Sequence, residues 1–189
     1  MRRSLYILVA ALIIIGIFYS INRYIHNNTP QLDIPNFSDL EVNPEEISTA
    51  SPAPIDLESD PIDQAFRTRL TEGAKEGPNF AGHYTIVEWG CGTMCSAFAI
   101  VDALTGQIYS VPCGTQAGLS FSENSRLLII NPFENIDKVY PGANLQPDWL
   151  TTQYYEWQNN ELKLLSVYKL VNGQIQKTTL HEPSTFPNN

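Results

Sequence analysis

Basic residues are scarce in this chain: eleven Lys and Arg stand against twenty Asp and Glu, for a formal net charge of −9. Between Asn27 and Asp60 there are eight acids and no base at all. A surface of that sign repels phosphate backbones, which proteins hold mainly through Lys and Arg, so nucleic acid is not an expected partner. Chemical motifs are scarce too. No G-x-S-x-G, P-loop, H-E-x-x-H or G-x-G-x-x-G sequence occurs, so the signatures of nucleophile elbows, phosphate cradles, zinc proteases and dinucleotide sites are missing. Cysteine is confined to Cys91, Cys95 and Cys113. None lies near the N-terminus, where a lipoprotein signal would need one.

Charge is absent altogether over Leu5–Ile21, "LYILVAALIIIGIFYSI", preceded by "MRR". As a helix these seventeen residues would run about 25 Å, a little short of the ~30 Å hydrocarbon core of a bilayer. Arg3 and Arg23 can reach the two interfaces, and Tyr6, Tyr19 and Tyr24 suit the headgroup level. No A-x-A-like pair follows the apolar run, which argues against cleavage by signal peptidase. The reading is a cytoplasmic tip over residues 1–4 and a transmembrane signal anchor over 5–21. By the positive-inside rule, the chain crosses the inner membrane once and places its C-terminal part in the periplasm.

Residues 22–60 hold the prolines and acids of a tether. Too few apolar side chains occur there, without a regular period, to offset the entropy of ordering the segment. An extended, self-repelling linker is expected. The alternative is a partner-binding strip that uses Ile34, Phe37 and Leu40.

Residues 61–189 read as one extracytoplasmic β-rich domain. A helix opens it: Ser59 or Asp60 can cap, Pro61 fits the first turn, and Ile62, Phe66 and Leu70 recur every four positions before Gly73 and Gly77–Pro78 end the pattern. Eight short β segments follow from "AGHYTIVEWG" to "QIQKTTL", with a proline-bearing loop over Pro132–Pro147. Asn159–Asn160 and Asn172–Gly173 suit two-residue hairpin turns with positive φ, and Gly106 suits a left-handed turn position. The expected fold is mainly β: an antiparallel meander of about eight strands, barrel- or sandwich-like, with the helix over one opening or edge and a transmembrane helix before it. If Gln158 faces Glu161 and Val171 faces Gln174, then Trp157, Tyr155, Leu162, Leu164, Tyr168, Leu170 and Ile175 share one face.

The stretch "EWGCGTMCSAF", Glu88–Phe98, is the main candidate for chemistry. With Cys91 facing Cys95, Trp89 falls opposite Ala97, Val87 opposite Ala99, and His83 near Ala103. If Ala103 then lies opposite Gln107, Cys113 comes opposite Ala97 and all three cysteines gather at one end of one sheet face. His83 and Cys91 are eight residues apart on one strand, roughly 26 Å, too far for a base and its nucleophile. Glu88 and Asp102 share a face but sit near opposite ends of the hairpin, wrong for a carboxylate pair. No catalytic residue and no cofactor is assigned.

Outside the cytoplasm thiols oxidise, so a disulfide among Cys91, Cys95 and Cys113 is the first reading. Cys91–Cys95 would close the smallest loop. Pairings with Cys113 would stabilise more, by about 3 kcal/mol in the loop-entropy model. The rival is a thiol-redox or metal site, in which two thiolates with Cys113 or His181 hold copper or zinc. The Cys-x-x-x-Cys spacing resembles that of copper-delivery chaperones of cytochrome oxidase assembly, whose thioredoxin-like fold the rest of the chain does not follow.

The run from Phe66 to Pro132, and above all Trp89-Gly90-Cys91-Gly92-Thr93 followed by Cys95, resembles small bacterial envelope proteins that carry a Trp-Gly-Cys-Gly-Thr-x-Cys hairpin and have no assigned activity. That resemblance implies a bacterial extracytoplasmic domain and no particular chemistry. The functional expectation is a membrane-anchored, non-enzymatic module that binds an envelope protein or cell-wall partner, with thiol-redox or metal handling at Cys91 and Cys95 as the alternative.

Overall fold

The computed structural model describes residues 13–21, 23–24, 32–58, 63–111, 114–142 and 146–180. The chain falls into two compact units, Met1–Asp33 and Ile34–Asn189. In the first, residues 13–21 are helical. The N-terminal part of the expected anchor, residues 5–12, lies outside the described residues. Among the described residues no helix is long and apolar enough to cross a membrane.

The second unit is mainly β, with eight strands in two antiparallel sheets among the described residues. The first sheet has the order β1 (Tyr84–Gly92), β2 (Cys95–Asp102) and β3 (Ile108–Ser110). The second runs β4 (Leu119–Ser120), β5 (Leu127–Ile130), β6 (Thr152–Gln158), β7 (Glu161–Val171) and β8 (Gln174–Thr178). Within each sheet every strand pairs with its sequence neighbour; short turns join most of them, and the stretch 131–151 joins β5 to β6. Asn159 and Asn160 (φ 53° and 62°) and Asn172 and Gly173 (φ 51° and 75°) take the left-handed turn conformations their side chains tolerate, and Gly106 does so at φ 82°.

The sheets pack face to face. Ile86, Phe98 and Ile100 of the first meet Leu128, Ile130 and Trp157 of the second, with Phe80 at 0% exposure among them. The first sheet's other face carries Val87, Trp89, Ala99 and Val101, with bulky residues opposite small ones: Trp89 pairs with Ala97 and Val87 with Ala99. Both faces are covered because both are apolar.

Helix α1 (Asp63–Ala74) supplies that second cover. Leu70 is fully buried, and the Phe66 ring lies 4.8 Å from Trp89. Phe66 itself departs from helical geometry (φ −113°, ψ 15°), kinking the helix where its ring turns in. The helix therefore lies over a sheet face and not over an opening or edge: on that face Val87, Trp89 and Val101 give Leu70 and Ala74 an apolar surface to cover. Its expected cap, Ser59 or Asp60, and Ile62 lie outside the described residues. The loop expected over Pro132–Pro147 contains a further helix, α2 (Phe133–Val139), nucleated after Pro132 and held by buried Ile136 against Ala117 and Leu150.

Residues 34–58 do not stand free of the domain. Ile34, Phe37 and Leu40 pack on Leu127, Tyr154 and Tyr168 on the outer face of the second sheet. Val42 enters the core between the sheets, and Ile55 and Leu57 join the cluster under α1. Backbone bonds run the length of this strap: Arg126 N to Leu40 O, Val42 N to Asn124 O, Ser48 N to Gly82 O, Ala53 N to Ala103 O and Asp56 N to Gly106 O. Composition suggests a linker because it counts the acids, which stay exposed. Docking is decided by a few apolar residues that between them meet three layers.

Two registers differ from the sequence reading besides the pairing at the cysteine tip. Asp102, not Ala103, lies opposite Gln107, because the Asp102 carboxylate accepts the Leu104 N–H at 2.8 Å and closes the turn one residue earlier. In the second sheet a bulge between Tyr154 and Tyr155 shifts the β6–β7 pairing. Trp157, Tyr155, Leu162 and Leu164 keep one face, and Tyr168 passes to the other with Tyr154 and Leu127. One unpaired residue inverts every later side chain.

Candidate functional site

At the β1–β2 tip Gly92, not Cys91, lies opposite Cys95, because a bulge takes up one residue there. Gly92 (φ 141°) and Met94 (φ 54°) make the turn, a bulge lies between Gly90 and Gly92, and Cys91 and Cys95 are joined by a disulfide with Cα atoms 5.2 Å apart. Of the three pairings this one closes the smallest loop. Cys113, the third disulfide and metal candidate, lies outside the described residues, as does His181. Its neighbour Gly114 passes beside the bridge, where a Cβ would stand 3.6 Å from Cys95 Sγ. Among the described residues no group of three or more His, Cys, Asp and Glu side chains is placed to hold a metal ion.

His83 and Asp102 meet at the other end of the hairpin. His83 Nε2 lies 3.9 Å from Asp102 Oδ1, and the imidazole stacks on Tyr84 at 4.2 Å. The hydrogen bond from Ala103 N to His83 O, at 2.9 Å, holds the two chain ends together. Glu88 lies opposite Phe98 and Asp102 opposite Tyr84. Four residues of strand, about 13 Å, separate the two acids along the hairpin, so they make no carboxylate pair.

A cleft that no motif announces opens where the edge of the first sheet meets the β6–β7 turn. Tyr109 and Val111 form one wall; Tyr155, Trp157, Asn160, Glu161 and Leu162 form the other. Its volume is about 390 Å³, within the usual range of ligand pockets. Tyr84, Tyr109 and Trp157 build an edge-to-face array beneath it, with centroids 5.2 Å (Tyr84–Trp157), 5.4 Å (Tyr109–Trp157) and 6.5 Å (Tyr84–Tyr109) apart.

No family model, curated protein or solved structure matches the chain. The site is therefore read from its own chemistry.

The Tyr84 hydroxyl donates to Asn160 Oδ1 at 2.8 Å and spans the two sheets. Trp157 Nε1 is buried without a hydrogen bond of ordinary geometry. It still lies close enough to the Tyr84 oxygen to favour the phenolate, against the larger effect of burial and the charges of Asp102 and Glu46, which together raise the Tyr84 pKa. Tyr109 is also raised, first by burial and then by Tyr84 and Asp102. Both phenols thus stay protonated and serve as ring surface and hydrogen-bond donors. The sequence hints at this cleft only in the alternation of Tyr155 and Trp157, which puts both rings on one face. Its other wall comes from β3, some fifty residues away, and only sheet packing brings the two together.

Proposed function

We propose that the chain is a membrane-anchored envelope module whose extracytoplasmic β domain binds a partner, with no reaction of its own, through the aromatic cleft between β3 and the β6–β7 turn. The observation that carries this reading is the three-ring array of Tyr84, Tyr109 and Trp157 under an open, mostly apolar cavity. Rings held edge to face present rigid apolar walls at small entropic cost, which suits recognition. The anchor over residues 5–21 and the periplasmic placement rest on the uncharged run and its flanking arginines. The partner belongs to the envelope, as a protein or a cell-wall component.

Two experiments test the reading. A periplasm-dependent reporter fused after the last residue should be active, and a cytoplasm-dependent one silent. Photo-crosslinking from position 109 in the full chain should capture a partner that a probe at Glu72, on the helix, does not. Equal capture from both positions would remove the cleft from the account.

The disulfide, exposed at Cys91 and half-buried at Cys95, favours a second reading, thiol-redox handling at these two residues. Metal handling would need the thiolates that this bridge consumes. Equilibration with glutathione buffers separates the readings: a bridge that reduces readily at mild poise supports redox exchange, and one that resists supports a structural staple.

A further inference from the structure

We propose that the aromatic cleft takes a small organic ammonium ion, a charged nitrogen carried on an apolar body. The inference rests on the cleft being a binding site and names the ligand class it is built for.

Three features of the walls point the same way. First, the rings of Tyr109, Tyr155 and the buried Trp157 line the cavity, and an aromatic ring attracts a cation held within about 6 Å of its centroid. Second, among the described residues that line the cleft, Glu161 alone carries a formal charge. Asp102 acts electrostatically on both Tyr84 and Tyr109, and Glu46 on Tyr84, so the charges behind the rings are also negative. An anion would meet no compensating Lys or Arg on these walls, and the net charge of −9 draws cations toward the protein.

Third, two of the polar groups at the cleft are already committed. Asn160 Oδ1 already accepts from Tyr84, and the Tyr155 hydroxyl donates to Gln153 Oε1 at 2.9 Å. A sugar brings several hydroxyls, each of which costs free energy when buried without a partner. A neutral apolar ligand would gain only from the area it buries. An alkylated ammonium gains from the area, from the rings and from Glu161.

The test uses full-length protein in a neutral detergent, titrated calorimetrically with choline, its uncharged carbon isostere dimethylbutanol, and N-acetylglucosamine. Choline should bind about tenfold more tightly than the isostere, the difference made by charge against the rings. Glu161→Gln, at the exposed start of β7, should weaken choline more than the isostere and so narrow that gap. Tyr109→Leu, which keeps apolar bulk and removes a ring, should also weaken choline selectively.

If the isostere or the sugar binds as tightly as choline, the ammonium inference falls and the cleft remains a binding site. Choline binding that ignores both substitutions overturns the inference as well, because the ion then sits elsewhere. No binding of any of the three by folded protein removes the inference, and unaltered crosslinking at position 109 then decides separately whether the cleft binds a partner at all.

Discussion

Tyr84 and Asn160 are 76 residues apart in sequence and joined by a 2.8 Å hydrogen bond, from the phenol of β1 to the amide oxygen in the β6–β7 turn. The bond fastens one sheet to the other at the rim of the aromatic cleft. It also fixes the orientation of the Tyr84 ring, against which Trp157 packs at 5.2 Å.

Tyr84→Phe keeps that ring and removes the bond. The expected cost is about 1 kcal/mol in urea unfolding, the usual net value of one hydrogen bond. An unchanged midpoint would mean that water replaces the contact at no cost and that the sheets are held by apolar packing alone.

Gly106 tests the strap. Its φ of 82° suits glycine, and a Cβ there would run into the carbonyl oxygen of Pro54. Gly106→Ala should cost about 1–3 kcal/mol. Hydrogen exchange should show the loss first at the amides of Ala53 and Asp56, which donate to Ala103 and Gly106. Unaltered protection at both amides would show that the strap tolerates the displacement.

Gly73 sits in α1, where alanine ordinarily gains about 1 kcal/mol over glycine. Here an added Cβ would stand 2.8 Å from Val87 Cγ2 and closer still to Cγ1. Gly73→Ala should therefore destabilise. Combining it with Val87→Ala should cost less than the two separate losses together, since the second substitution makes room for the first. Simple additivity in denaturant titrations would sink this packing account.

The Cys91–Cys95 bridge closes a loop with a sequence separation of 4. The loop-entropy model gives such a bridge about 2 kcal/mol, so Cys91→Ser and Cys95→Ser should each lose about that much. Peptide mapping without reductant should recover Cys91 linked to Cys95. A linkage to Cys113 would overturn the assignment.

Tyr154 predicts an alkaline limit. Burial first, then the charge of Glu134 and the neighbouring Tyr168, push its pKa from 10.0 up to about 12. Below pH 10 the phenol is protonated in both the folded and the unfolded chain, and its contribution to stability is fully present. Above that the unfolded chain ionises first, so stability falls with rising pH until the folded group also ionises near 12. Tyr154→Phe should flatten this part of the profile, although Tyr84 and Tyr109, shifted the same way, will keep some slope. Equal slopes for the two proteins would exclude Tyr154 as a source.

The sequence by itself determined the strands and most of their pairings. Turn residues such as Asn159–Asn160 and Asn172–Gly173 act locally, and a two-residue turn leaves one register open to the strands it joins. The alternation of Trp89 and Val87 with Ala97 and Ala99 likewise announced a covered face. Tertiary structure decided what local patterns do not encode. The bulge at Tyr154 and Tyr155 reversed the faces beyond it, and the Asp102 side chain moved a turn by one residue. Ile34, Phe37, Leu40 and Val42 found their partner in this protein's own sheets, because docking depends on where apolar surfaces lie in space and not on the average polarity of the segment that supplies them. The cleft is of the same kind: Tyr109 and Trp157 carry no shared motif, and only the packing of one sheet on the other makes them a site.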